Sequence, residues 1–270
     1  MATKLLVVGG GKMGSALVAG ILGSQWATPG EVAVAEVSAA RRAELADPDV
    51  GLTSRFPGLS VVQDLVAADG AVVAVKPADV EEVCRRLGAL GVRRVLSLAA
   101  GVKLADLASW CGNGSRVVRA MPNIAALVGE AATAIAAGAR AGAEDLAWAR
   151  SLMGSVGNVV EVPEKLMDAV TGLSGSGPAY VFLVAEALAE AGVAAGLPRQ
   201  VAQQLVGQTL LGAARLLAGT GRTAEELRAE VTSPGGTTAA GLRQLEARAV
   251  RSAFIEAVLA AADRSRELGT

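Results

Sequence analysis

The sequence predicts an α/β protein, a parallel sheet covered on both faces over residues 1–162 followed by an all-helical half over 163–270. Three observations predict it. Short β-rich runs alternate with helical stretches through the first half, the grammar of a parallel sheet with helical crossovers. From about Glu164 the strand runs stop, and every later segment has helical length and spacing. Two of those later segments are apolar nearly all round, as in the run from Val201 to Ala214.

The elements follow in order. Leu5–Val8 reads as a strand, and a helix runs from about Met13 to Leu22. Val32–Ala35 precedes a helix around Ala39–Ala46. Ala71–Val75 leads to Asp79–Leu87, and Arg94–Leu98 leads to Leu104–Trp110. Val117–Met121 and Ala132–Ala136 are strands, then comes a helix near Glu144–Met153 and a strand near Val159–Val162. The helical half reads as Leu166–Gly172, Pro178–Ala195, Pro198–Ala218, Ala224–Val231, Thr237–Glu246 and Val250–Leu268. Pro198 suits a first helical position. A helix apolar all round must be covered on all sides, and a helical half of this size cannot do that alone. A second copy of the chain is therefore expected to supply the cover.

Composition removes several function classes. Net charge is −1, so there is no basic excess to neutralise a phosphate backbone, and aromatics at 3% leave few stacking platforms; nucleic acid is not an expected partner. No run reaches the roughly 18 consecutive apolar residues of a spanning helix, because Gly-Leu-Ser-Gly-Ser-Gly-Pro interrupts the uncharged stretch from Ala169 to Ala185. The N-terminus turns glycine-rich too early for a signal peptide, so the chain reads as cytoplasmic with no membrane association. Cys84 and Cys111 form no CxxC and read as small buried hydrophobes, and no metal is expected. The absence of histidine removes imidazole-based triads and nearly every catalytic zinc site.

Gly9-Gly10-Gly11-Lys12-Met13-Gly14 fits G-x-G-x-x-G. At this glycine content the pattern arises by chance about once in two such chains, so context decides. The context is right: a strand ends at Val8 and a helix opens at about Met13, which adds Lys12 and Met13 to the cofactor-binding residues expected here. Gly9 permits the tight turn, Gly11 lets a pyrophosphate approach the backbone, and Gly14 lets the helix pack on the sheet. The helix start then offers free N–H groups to phosphates. The first half is thus expected to be a Rossmann-type dinucleotide-binding domain. Glu36, at the end of the second strand, would bond ribose hydroxyls and favour NADH; Ser38, Arg41 and Arg42 would hold a 2′-phosphate and favour NADPH. Val75-Lys76-Pro77, Ala99-Ala100 and Asn123 end strands at the C-terminal edge, where ligands of open parallel sheets bind. Lys76 is either a cation beside the pyrophosphate or an exposed strand cap. Asn123 either bonds the nicotinamide or ribose or forms a turn after Pro122.

Two segments of the helical half do not look like ordinary connections. Leu173 to Tyr180 and Thr232 to Thr238 each place hydroxyls and glycine amides just before a helix. Each suits a carboxylate, and each also suits an N-cap box.

Here a resemblance becomes specific. Val231-Thr-Ser-Pro-Gly-Gly-Thr-Thr-Ala-Ala-Gly-Leu-Arg-Gln-Leu-Glu246 resembles the signature of pyrroline-5-carboxylate reductases. So do Gly172 to Phe182, Ala74 to Pro77, Val118 to Asn123, Glu164 to Ala169, Gly196 to Arg199 and Arg264 to Gly269, in order along essentially the whole chain. The resemblance implies a Rossmann domain, then a helical dimerisation domain that interlocks with its twofold mate, and homodimers that often assemble as decamers of five dimers. It implies NADPH or NADH as cofactor, NADPH being the more usual, and 1-pyrroline-5-carboxylate and L-proline as the small-molecule partners. By the same resemblance the carboxylate meets Ser233, Gly236, Thr237 and Thr238, the Thr238 hydroxyl meets the ring nitrogen, and Glu164 lies near the nicotinamide end. Three departures touch the cofactor more than the reaction: Ile124-Ala125 where the family usually shows Thr-Pro, Val61 where an asparagine is common, and Ala229 where an acidic residue is common.

Such a reaction suits a chain without histidine. Ketone reduction needs a proton from an enzyme acid. A cyclic imine takes its proton from solvent before hydride arrives, so orientation, carboxylate binding and desolvation suffice.

Overall fold

A computed structural model describes residues 3–269. The first half contains an eight-stranded sheet. Its strands are β1 (Leu5–Val8), β2 (Val32–Ala35), β3 (Ser60–Val62), β4 (Gly70–Val73), β5 (Arg94–Ser97), β6 (Arg116–Met121), β7 (Ala131–Ala137) and β8 (Gly157–Glu161). Their spatial order is β3-β2-β1-β4-β5-β6-β7-β8. Strand order therefore reverses between β1 and β4, the switch point where open α/β sheets hold ligands.

β1 shows why the sheet forms. All four of its residues are buried, with Leu5 and Val7 in the core on one face and Leu6 and Val8 in the core on the other. A strand buried on both faces must be apolar without alternation, as a parallel sheet requires. Helices α1 (Lys12–Gly23) and α6 (Ala143–Gly154) cover the first face through Leu17, Val18, Ile21, Leu152 and Met153. Helices α4 (Val80–Ala89) and α5 (Leu104–Cys111) cover the second through Val80, Leu87, Leu104 and Leu107. Cys84 and Cys111 lie in that second core, as read from the sequence. Their thiols are hydrogen-bonded to each other, and that bond together with burial pushes the Cys84 thiol well up.

Most boundaries fall within two residues of those expected. The differences have physical causes. The sheet is not all parallel: β6 and β7 pair antiparallel, Ala120 opposite Ile135. The link from Pro122 to Glu130 holds only a 3-10 turn, Ile124–Val128, and a parallel return needs a crossover of about a dozen residues. β3 and the short helix α3 (Leu52–Arg55), with α2 (Ala39–Leu45) before them, sit at the β2 edge; β3 and α3 were not expected, being too short to show a period.

The second difference lies in the helical half. Gly-Leu-Ser-Gly-Ser-Gly-Pro does not break the helix. A 3-10 turn at Glu164–Leu166, α7 (Met167–Val170), a π turn at Thr171–Gly175 and α8 (Gly177–Ala194) follow without interruption. The amide of Ser176 donates to the Thr171 carbonyl and the Ser174 hydroxyl donates to the Val170 carbonyl. Glycine tolerates the widened turn while hydrogen bonding persists. The resulting run Glu164–Ala194 is long and apolar enough to cross a membrane by length and composition alone, which corrects the expectation of a broken stretch.

The chain divides into two compact units: residues 1–176 with 260–270, and Gly177–Leu259. Secondary structure changes character near residue 163, whereas packing changes at Gly177. The second unit holds α8, α9 (Arg199–Gly219), α10 (Ala224–Glu230), α11 (Thr237–Ala247) and most of α12 (Val250–Leu268). α8 and α9 approach through small residues: a Cβ on Gly192 would lie 3.0 Å from that of Ala202. Ala189 and Ala202 are the buried residues of this unit, while Phe182, Leu183, Leu205, Leu216 and Ile255 are all more than half exposed.

Candidate active site

The glycine turn after β1 is built as expected. Gly9 has φ +101°, and a Cβ there would sit 2.6 Å from the Ala74 carbonyl oxygen. A Cβ on Gly14 would sit 2.0 Å from the Gly9 carbonyl oxygen, so only glycine lets α1 pack this close. A Cβ on Gly11 would meet nothing within 4 Å. Gly11 also heads α1 without any side-chain cap. Free amides therefore face open space at a helix N-terminus, the arrangement a pyrophosphate requires. Lys12 is exposed as the first helical residue, and Met13 packs partly on the core.

Glu36 is fixed beside this turn. Its Oε2 accepts from the Gly10 amide at 2.9 Å and its Oε1 accepts from the Ser38 amide at 2.8 Å. Ser38 caps α2 by accepting from the Arg41 amide. The two arginines hold the loop rather than standing free. Arg41 donates through Nε to the Gly10 carbonyl and through Nη2 to the Ser15 hydroxyl; Arg42 donates to the Glu36 and Val37 carbonyls and to Gln63. A cleft of about 240 Å³ opens here, with Gly9, Glu36, Val75, Asp79, Glu82 and Arg86 among its walls. Asp79 and Glu82 are wall residues that the motif did not reveal.

The remaining strand-end residues divide. Val75 lines that cleft, while Lys76 is exposed and Pro77 opens a 3-10 turn. Ala99 is buried in the second core and Ala100 follows it half-buried; neither is a wall of the cleft. Asn123 takes the turn role: its Oδ1 accepts from Ala125 and Ala132 amides and its Nδ2 donates to the Ser174 carbonyl. Glu164 accepts from the Leu104 amide at 2.6 Å, so it caps α5, and it lies 3.5 Å from Arg119.

The loop before α11 belongs to the other compact unit. Gly235 has φ +72° and the Gly236 amide donates to the Ser233 carbonyl at 3.0 Å, closing a tight turn. A Cβ on Gly236 would lie 2.3 Å from the Ser233 hydroxyl, which would have to swing aside, and 3.2 Å from the Ser233 carbonyl oxygen. Gly236 is the N-cap of α11, and no side chain caps the helix. The alternative of an N-cap box is thereby removed here. The first amides of α11, including those of Thr237 and Thr238, have no intrahelical acceptor, and the hydroxyls of Ser233, Thr237 and Thr238 stand exposed around them. The other candidate loop, Leu173 to Tyr180, is helical, so it offers no comparable cradle.

Comparison with known proteins matches the two ends of the chain to different family models. Residues 164–268 match the family model "Pyrroline-5-carboxylate reductase dimerisation", and residues 4–101 match "NADP oxidoreductase coenzyme F420-dependent". The pyrroline-5-carboxylate reductase of Thermus thermophilus is 45% identical, covering 98% of this chain and 98% of its own. That of Arabidopsis thaliana is 43% identical, covering 98% and 95%. A solved pyrroline-5-carboxylate reductase from Coxiella burnetii superposes with TM-score 0.91 at 36% identity over 100% of both chains. One from Plasmodium falciparum with NADP bound superposes with TM-score 0.82 at 29% identity over 99% and 98%. With a glycine turn after β1, an uncapped start to α11 and full-length relatives at this identity, the chain belongs to the pyrroline-5-carboxylate reductase family.

Proposed function

We propose that the chain reduces the C=N bond of 1-pyrroline-5-carboxylate to give L-proline, the last step of proline biosynthesis, with a nicotinamide dinucleotide. The observation that carries this reading is the uncapped start of α11 ringed by the Ser233, Thr237 and Thr238 hydroxyls. A bound dihydronicotinamide supplies the hydride. Gly9, Gly11 and Gly14 give its pyrophosphate a close seat, with Lys12 and Lys76 as nearby cations and Glu36 at the ribose. The amides of Thr237 and Thr238 and the Ser233 hydroxyl, beside Gly236, hold the ring carboxylate. The Thr238 hydroxyl orients the protonated ring nitrogen. No strong acid is needed, because the iminium is already electrophilic and protonated from solvent.

Exposed leucines on α8 and α9 support a homodimer in which a second copy, rather than lipid, covers the apolar run Glu164–Ala194; Glu186 and Glu190 interrupt that run on the α8 side. Assembly of five dimers into a decamer and a cytoplasmic location extend this reading. NADPH is favoured by likeness to the family, while the carboxylates of Glu36, Asp79 and Glu82 in the cleft favour NADH.

Two rivals are answered by the residues. A hydroxy-acid dehydrogenase needs a catalytic lysine or histidine in the helical half, where Lys165 is the only lysine and caps no such motif. A nucleotide-sensing subunit needs no hydroxyl-lined loop. An assay with 1-pyrroline-5-carboxylate and each reduced nucleotide tests the reading, as does proline with oxidised nucleotide at high pH. Absence of any absorbance change in both would sink it.

A further inference from the structure

A second cavity, of about 430 Å³, lies on the sheet face covered by α5 and within the first compact unit. Its walls carry four cations, Lys103, Arg119, Lys165 and Arg266, against two carboxylates, Glu164 and Asp168. Both carboxylates already accept from the protein: Glu164 from the Leu104 amide at 2.6 Å, Asp168 from the Ser265 hydroxyl at 2.7 Å. Arg266 pairs with Asp263 at 2.5 Å, whereas Lys103 and Lys165 make no ion pair among the described residues.

Arg119 is the unusual member. It sits inside an apolar strand, 4% exposed, opposite Ser97 of β5. A guanidinium carries five donors, yet its one ion-pair partner among the described residues is Glu164, with Oε1 at 3.5 Å. Burying a charge with its donors unmatched is costly. Arg119 is one of the walls of the cavity. Lys103, the N-cap residue of α5, lines the same space. None of these residues lines the nucleotide cleft.

We propose that this cavity binds a small oxyanion, a carboxylate or a phosphate, separate from both the dinucleotide cleft and the α11 cradle. Arg119 and the lysines would take the oxygens that water takes otherwise. The occupant would brace the ends of β5 and β6, since Gly101 and Lys103 follow Ala99-Ala100 and Arg119 lies two residues before Met121. The proposal does not rest on the reaction proposed above.

Isothermal titration calorimetry on the full chain tests it, with saturating oxidised dinucleotide present to fill the cleft. One arm uses inorganic phosphate and the other succinate. One equivalent of anion binds in at least one arm, and the tighter arm identifies the source. Arg119→Met weakens that binding by about 10- to 100-fold, the scale of a charge-assisted bond. If Arg119→Met fails to fold, the exposed pair Lys103→Gln/Lys165→Gln carries the test, with an expected loss of several-fold. Thr238→Ala leaves the affinity unchanged. No heat in either arm, undiminished affinity in the lysine pair, loss in Thr238→Ala, or displacement by the dinucleotide each overturns the proposal.

Discussion

α1 and α11 both start at a glycine with no side-chain cap, Gly11 and Gly236. The first is braced on every side. Glu36 and Arg41 bond Gly10, Ser15 bonds its carbonyl, and strands buried to 0–4% lie beneath. The second is held by its own turn, the Gly236 amide on the Ser233 carbonyl and the Thr232 hydroxyl on the Arg228 carbonyl, within a unit whose large apolar side chains face outward. The difference teaches that an uncapped helix start can be braced by its own sheet or can rest on a turn in a unit whose apolar surface awaits a cover. A single copy finishes the nucleotide seat, and the helical unit is finished by association.

The largest expected effect tests the chemistry of the second helix start. Thr238→Ala lowers turnover by about 10- to 1000-fold, the scale of one positioned donor, with dinucleotide affinity unchanged. Unchanged turnover would remove Thr238 from the mechanism. Next comes the first helix start. Gly14→Val places a side chain against the Gly9 carbonyl and lowers dinucleotide affinity by about 100-fold, an overpacking cost of about 3 kcal/mol. Tryptophan-fluorescence titration reads this, and wild-type affinity would show that the turn tolerates movement. The third tests the dependence on association. Leu183→Arg, on a side chain 65% exposed, weakens self-association by about 30-fold, the value of a 2 kcal/mol interface anchor. Sedimentation equilibrium measures it; a wild-type chain monomeric at micromolar concentration would break the comparison outright. The smallest effect concerns the brace on the first helix start. Glu36→Gln shifts the ratio of kcat/KM toward NADPH over NADH by about 10-fold, the worth of one charge-assisted bond. A ratio that stays put would place the 2′ position away from Glu36.

Much of this was legible in the linear pattern. β1, β2 and α12 end where expected because period, length and punctuation agree there. The G-x-G-x-x-G turn was legible because its glycines answer a local steric demand. β3 was not, since three residues carry no period. The antiparallel β7 was not, because direction depends on how far a link must travel rather than on the strand's own residues. The π turn at Thr171–Gly175 escaped because Ser and Gly read as a loop wherever hydrogen bonding is judged one residue at a time. Arg119 carried a usable signal, a charge inside Val-Val-Arg-Ala, since a buried arginine demands partners.

By itself the sequence determined most of the strands and helices, the glycine turn after β1, and the absence of imidazole chemistry. Those properties depend on neighbours a few positions away in the chain. Only the tertiary structure decided that Arg41 and Arg42 brace a loop, that Asn123 and Glu164 serve as caps, and that four cations share one cavity. Most of those outcomes rest on a meeting across more than 20 residues, Arg41 with Gly10, Asn123 with Ser174 and Glu164 with Leu104, and no local period encodes such a meeting.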